Sequence, residues 1–281
     1  MNPRFAADFD PQFTRASRSA LLELTRALKP YSDALVLVGG WVPYLLIEDH
    51  PRPGNPFTHV GSIDIDLVVD PGRIGEEEYR TIVETIADVG WKWIEGKRFS
   101  FLRTVPCEDG VPRDIQVDFL TPVLEGPGRK HRHRPIQRDL QARTMRGAEL
   151  ALTHRGVRRF SGTLPGGAET MVDFQMLDVA GCLGTKGIAL GERYKHKDAY
   201  DIVSILDDYG SGISEIARLV RPFGQDPLME EAIHVLADKF RNERSEGPTW
   251  YAEFLGGDRD AREANSQRAL QLTSEFLRLL Q

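Results

Sequence analysis

Three aspartates are spaced for chemistry. Asp64 and Asp66 lie two apart in Gly61-Ser62-Ile63-Asp64-Ile65-Asp66-Leu67-Val68-Val69-Asp70, which reads as a strand. Side chains alternate along a strand, so Ile63, Ile65, Leu67 and Val69 share an apolar face and the two carboxylates share the other. Like charges side by side repel, and aspartate is a poor strand former. A pair that accepts both costs points to a bound cation, and Mg²⁺ takes oxygen ligands from one or two carboxylates together with substrate phosphates. Asp118 projects from a second good strand, Asp114-Ile115-Gln116-Val117-Asp118-Phe119-Leu120, on the face of Gln116 and Leu120. If the two strands are neighbours, Asp118 joins the pair.

The surrounding elements must place these groups. Residues 12–29 read as an amphipathic helix on Leu21, Leu22, Leu24 and Leu28, stopped by Pro30. The apolar run 34–38 suits a buried strand and ends in Gly39-Gly40, followed by a helix from Trp41 to Ile47. Strand, glycine pair and helix start can cradle a phosphate, because glycine admits close approach and helix N-termini attract anions. The same pair also serves as a plain tight turn, and Trp41 as packing or as a platform for a base. Residues 50–61 carry Pro51, Pro53, Gly54, Pro56 and Gly61 and read as a loop. A helix is expected over 75–90 on Tyr79, Ile82, Val83, Ile86 and Val89, ending at Gly90. A strand over 99–105 and the turn Glu108-Asp109-Gly110 form a hairpin with the Asp118 strand.

Residues 126–159 are basic, with ten arginines and lysines from Arg129 to Arg159 against Asp139 and Glu149. Such a run is either a solvated face or loop, or a patch for a nucleic-acid backbone. His131 and His133 lack the partners of a zinc site. The pattern turns helical from about residue 175. Leu177, Ala180, Leu183, Ile188 and Leu190 form one stripe, and Lys186 falls on or beside it, where a lysine snorkels out or meets an anion. In the next helix, over 197–206, Asp198 and Asp201 share a face with Ile202 and Ile205 and need partners. Asp198 can serve as a charge at the helix N-terminus, and Asp201 can pair with Lys197. Helices over 228–241 and 266–280 look like packing elements.

The chain has 281 residues, 41% hydrophobic and 28% charged, with a formal net charge of −6. That suits a soluble globular protein of one large or two ordinary domains, and any nucleic-acid surface must be local. Cys107 and Cys182 make neither a disulfide framework nor a zinc spacing, which favours a cytoplasmic setting. No apolar run reaches the roughly 18–20 residues of a membrane span, and the N-terminus lacks a signal-peptide core.

Val38-Gly39-Gly40, then Ser62-Ile63-Asp64-Ile65-Asp66-Leu67, then Val117-Asp118-Phe119 resemble the nucleotidyltransferase superfamily of the DNA polymerase β type. Lys186-Gly187-Ile188-Ala189-Leu190, Arg193 and Lys197-Asp198-Ala199-Tyr200-Asp201-Ile202 resemble the helical motif of its AbiEii abortive-infection toxins and related MenT toxins. The motifs span about residues 36–206. Two features depart from the pattern: a longer interval from Gly40 to Asp64, and Trp41 where a small hydroxyl residue is common in the superfamily; Gly-Gly-Trp is instead similar to the aminoglycoside and lincosamide nucleotidyltransferases.

The resemblance implies an α/β (α+β) fold. A small mixed sheet with flanking helices would form a nucleotidyltransferase core over residues 1–174, and a helical domain over 175–281 would bring Lys186 and Asp198 to the cleft. It implies transfer of a nucleoside monophosphate from an NTP, with two Mg²⁺ or Mn²⁺ ions held by Asp64, Asp66 and Asp118. Gly39, Gly40 and Ser62 would grip the triphosphate and Lys186 would neutralise it. Asp198 and Asp201 would orient the lysine or the nucleotide. The acceptor would be tRNA or another RNA on the basic stretch 129–159, and a toxin would have a cognate antitoxin. The alternatives are an enzyme that adenylylates an aminoglycoside or lincosamide, an inactive nucleic-acid or protein-binding module, and a structural domain with solvent-facing aspartates.

Overall fold

The computed structural model describes residues 3–74, 80–123 and 132–281. In chain order its elements are α1 (Pro11–Ala27), β1 (Leu35–Val38), α2 (Trp41–Asp49), β2 (Asp64–Val69), α3 (Ile82–Ala87), β3 (Lys92–Ile94), β4 (Lys97–Val105), β5 (Arg113–Pro122), β6 (His133–Pro135) and β7 (Gln141–Met145). These are followed by α4 (Leu150–Thr153), β8 (Arg155–Thr163), β9 (Glu169–Leu177), α5 (Val179–Glu192), α6 (His196–Asp208), α7 (Ile213–Val220), α8 (Pro227–Lys239), α9 (Glu246–Leu255) and α10 (Arg259–Leu280). The fold is mixed α and β. No helix among the described residues is long and apolar enough to cross a membrane.

The chain divides into two compact units. One comprises Pro11–Trp41 and Ser62–Leu177, the other Met1–Asp10, Val42–Gly61 and Asp178–Gln281. The first and third of those latter segments flank the sheet unit in sequence, and the loop 50–61 groups with the helices rather than with residues 1–174 as a whole.

The sheet unit holds a nine-stranded mixed sheet with the order β3-β4-β5-β2-β1-β9-β8, and β7 pairs with both β5 and β6. Its centre is apolar by sequence: Leu35, Val36 and Leu37 of β1 are fully buried, as are Ile65, Leu67, Val68 and Val69 of β2 and Ile115, Val117 and Phe119 of β5. β1 runs antiparallel to β2, and β2 runs parallel to β5. α1 buries Leu21, Leu22 and Leu24, and its neighbour Trp41 is fully buried with its indole N–H donating to Ser17 Oγ at 3.1 Å. Trp41 is therefore packing and offers no face to a base.

Two local expectations are corrected. The helix expected over 75–90 is α3 alone among the described residues. Thr81 caps it, accepting from the Glu84 N–H at 3.1 Å while its own N–H donates to the Glu84 carboxylate at 2.9 Å. Tyr79 lies outside the described residues. The helical pattern also starts later than residue 175: Leu177 is the last residue of β9, and Asp178 caps α5 by accepting from Gly181 N–H at 2.8 Å.

The helical unit is built on α5–α10. α5 and α8 approach closely because Gly187 has no side chain; a Cβ there would come within 2.8 Å of Ala232 Cβ. The segment from Pro51 to Gly61 belongs to this unit, and Pro51 forms an isolated antiparallel bridge with Tyr209, the residue after α6.

Candidate functional site

The sheet brings the three aspartates together. Asp66 stands opposite Asp118 in the parallel β2–β5 pair, and Asp64 stands opposite Gln116. Directly paired strand residues point to the same face, at an interstrand spacing of roughly 5 Å. Asp64, Asp66 and Asp118 therefore share one face, and all three are partly exposed while their neighbours Ile65, Leu67, Val117 and Phe119 are buried.

The groups around them were only partly visible in the sequence. Asp118 Oδ1 accepts from Gln116 Nε2 at 2.7 Å and from Ser100 Oγ, which β4 sets directly opposite. Arg143 of β7 brings Nη2 to 3.9 Å from Asp118 Oδ2, with its side chain 46% exposed. Ser62 was expected to grip a triphosphate. It is 2% exposed instead, and its hydroxyl donates to Asp64 Oδ1 at 2.8 Å, so it orients a carboxylate.

Gly39 explains how Asp66 fits. Its φ is +78°, a left-handed conformation, and a Cβ added there would collide with the Asp66 carboxylate. β1 pairs Val38 with Asp66, so the chain turns at Gly39 directly against that side chain. Gly40 follows in the same turn and is partly exposed. Gly39→Ala is expected to cost about 1–2 kcal/mol for the left-handed backbone, read by urea unfolding. By displacing Asp66 it should also weaken divalent-cation affinity about 10- to 100-fold, read by Mn²⁺ titration.

Among the described residues, no three or more His, Cys, Asp or Glu side chains form a group that could hold a metal ion. An ion that arrives with its own ligands asks for less. Mg²⁺ keeps waters and phosphate oxygens among its ligands and asks the protein for only one or two carboxylates. A shared face, partial exposure and a neighbouring glycine without a Cβ meet that demand.

The helical unit gathers Lys186, Asp198 and Asp201 into a second, closed cluster. Lys186 Nζ lies 3.1 Å from Asp198 Oδ1 and 2.6 Å from Asp201 Oδ2. Lys197 Nζ lies 2.7 Å from Asp201 Oδ1, and Arg193 grips Asp198 through two bonds of 2.8 and 3.0 Å. Both aspartates are fully buried and both lysines are 6% exposed. Lys186 thus meets two anions of its own chain, and both Asp198 and Asp201 hold it, one of the two roles the resemblance implies for them.

Electrostatics follow from enclosure. Burial alone would push the Asp201 carboxyl up, but Lys186 and Lys197 override it and hold it far below the carboxylate range. Burial likewise opposes charge on Lys186, and Asp201 with Asp198 outweigh it and raise its pKa. Cys182, buried beside this cluster, has its thiol pushed up to about 12 by burial and is no nucleophile.

His59 also faces the cluster, and nothing in its sequence context signalled this. Its Nε2 lies 3.1 Å from Asp201 Oδ1, and burial pushes its pKa down to about 4. The folded protein thus holds His59 neutral while the unfolded chain takes up a proton near pH 6.5. Stability should fall by roughly 3 kcal/mol as pH drops from about 6.5 to about 4. His59→Gln should flatten that slope in urea unfolding measured across the window.

The basic stretch is structured where it is described. Arg132 and Arg134 lie at the β6–β7 hairpin, and Arg155, Arg158 and Arg159 on the edge strand β8. Arg138 pairs with Glu84, and Arg159 with Asp173 at 2.9 Å. His133 stacks on Phe99 with ring centres 5.0 Å apart. Arg129, Lys130 and His131 lie outside the described residues.

No protein family, characterised protein or solved structure matches this chain.

Proposed function

We propose that this chain is a metal-dependent nucleotidyltransferase that moves a nucleoside monophosphate from an NTP to RNA. The observation that carries the reading is the register of Asp66 against Asp118, with Asp64 on the same face. Like charges side by side on one face of a sheet repel, whereas a nucleotide-bound cation takes one or two such carboxylates as ligands. Mg²⁺ or Mn²⁺, two ions in the superfamily's scheme, would supply positive charge at the attacking and leaving oxygens.

The chain's own residues would do the rest. Asp64 and Asp66 would hold both ions and Asp118 the one beside the acceptor, with Ser62, Gln116 and Ser100 fixing the carboxylates through their hydrogen bonds. The acceptor hydroxyl attacks the α-phosphorus, the bond from that phosphorus to the β-bridging oxygen breaks, and pyrophosphate leaves with the electron pair. The hydroxyl proton passes to Asp118 or to water. Gly39 and Gly40 carry no side chain of their own at the turn beside Asp66, where the superfamily's scheme puts the triphosphate. Arg143, half exposed beside Asp118, is suited to an acceptor phosphate, which favours RNA over an antibiotic. On the resemblance to AbiEii-type toxins, the RNA is a tRNA and a cognate antitoxin restrains the enzyme.

Incubation with each α-labelled NTP, Mg²⁺ and total RNA tests the reading, with an aminoglycoside panel in parallel. Label in RNA, lost with a chelator, is the expected result. Label on an aminoglycoside would move the acceptor, and label on neither would overturn the proposal.

A further inference from the structure

The segment before the carboxylate strand is strapped along α6 at both ends. Near the helix's C-terminal end, Arg52 N–H donates to Asp208 O at 2.8 Å, its guanidinium to Asp207 O at 3.0 Å, and Asn55 to Asp208 Oδ1 at 3.0 Å. About two turns back, Val60 N–H donates to Tyr200 OH at 3.0 Å. His59 closes the strap. Gly61 N–H donates to His59 Nδ1 at 3.1 Å, so that nitrogen carries no proton, and the other, Nε2, must carry one and donate it to Asp201. The imidazole side chain is fully enclosed, packed by Tyr200 and Tyr44 with ring centres 5.0 and 6.0 Å away.

We propose that His59 is a positioning residue for the carboxylate strand: its two nitrogens pin the backbone at Gly61 to Asp201, and Ser62 and Asp64 follow Gly61 directly in the chain. Gly61 has φ +77°, a left-handed conformation that only glycine adopts freely. One residue later the Ser62 hydroxyl holds Asp64. The pin is anchored because Asp201 is itself fixed by Lys186 and Lys197, the charged groups that face His59 from α5 and α6. The positioning role rests on the nucleotidyltransferase reading, while the pin itself does not.

Gln can replace both bonds, since its carboxamide offers an acceptor and a donor at similar spacing, and Leu can replace neither. In ¹⁵N spectra of the wild type, the His59 proton is expected on Nε2. In His59→Leu, exchange of the Gly61 amide should rise at least about tenfold. The Ser62 and Asp64 amide shifts should move, and kcat for label transfer should fall about tenfold with KM for NTP unchanged. His59→Gln should restore all three. A proton on Nδ1, a Gly61 amide as protected in His59→Leu as in wild type, or unmoved Ser62 and Asp64 shifts would overturn the proposal. If His59→Leu does not fold, the wild-type tautomer and the Gly61 amide of His59→Gln decide, with rapid exchange in the latter overturning it. A wild type that transfers no label would overturn the enzymatic reading and leave the tautomer, exchange and shift results to judge the pin.

Discussion

Asp64→Ala combined with Asp66→Ala should lower Mg²⁺-dependent label transfer by at least about 10³-fold and leave cooperative unfolding intact. The two expectations belong together. Asp64, Asp66 and Asp118 share one face of β2 and β5, where like charges repel. Ile65, Leu67 and Val68, which carry the packing of β2, remain untouched. A structural role for the pair predicts the reverse pattern: unfolding at lower denaturant and no specific effect of metal. Urea unfolding and label transfer on the same preparation separate the two.

Asp201→Ala should destabilise the protein by about 3–5 kcal/mol, the usual effect of removing one partner from a buried ion pair. The mechanism is what is left behind. Lys186 and Lys197 are both enclosed, and without Asp201 they face each other across a site with only Asp198 in compensation. Asp201→Asn keeps the shape and an acceptor but loses the charge, so it should lie between wild type and alanine. The sign with pH follows from the lowered Asp201 pKa. Its contribution is present above the ordinary carboxylate range and is lost as pH falls below about 4. That window lies beneath the one in which His59 titrates, so the two can be resolved in one series of urea titrations.

The strands that carry the aspartates were legible because one face of each is an uninterrupted apolar set: Ile65, Leu67 and Val69 on β2, and Ile115, Val117 and Phe119 on β5. Alternation put Asp64 and Asp66 on one face. It left the pairing of Asp66 with Asp118 conditional, because register between strands far apart in sequence leaves no local mark. The spacing of Lys186, Asp198 and Asp201 showed polar groups directed inward, and the structure shows that they satisfy one another. β8 was hidden: in Arg-Gly-Val-Arg-Arg-Phe-Ser-Gly-Thr only Phe160 is buried, so alternation has almost no apolar residues to reveal it. His59 was hidden for another reason. It sits in a proline-rich segment without periodicity, and its partner Asp201 is 142 residues away.

Binding of Mn²⁺, used as a spin probe with a non-hydrolysable NTP, tests the central claim most directly. Wild type should bind Mn²⁺ tightly with the nucleotide, and Asp64→Ala, Asp66→Ala and Asp118→Ala should each lose most of that binding while folding cooperatively. Equal Mn²⁺–nucleotide binding by wild type and all three variants would contradict the account.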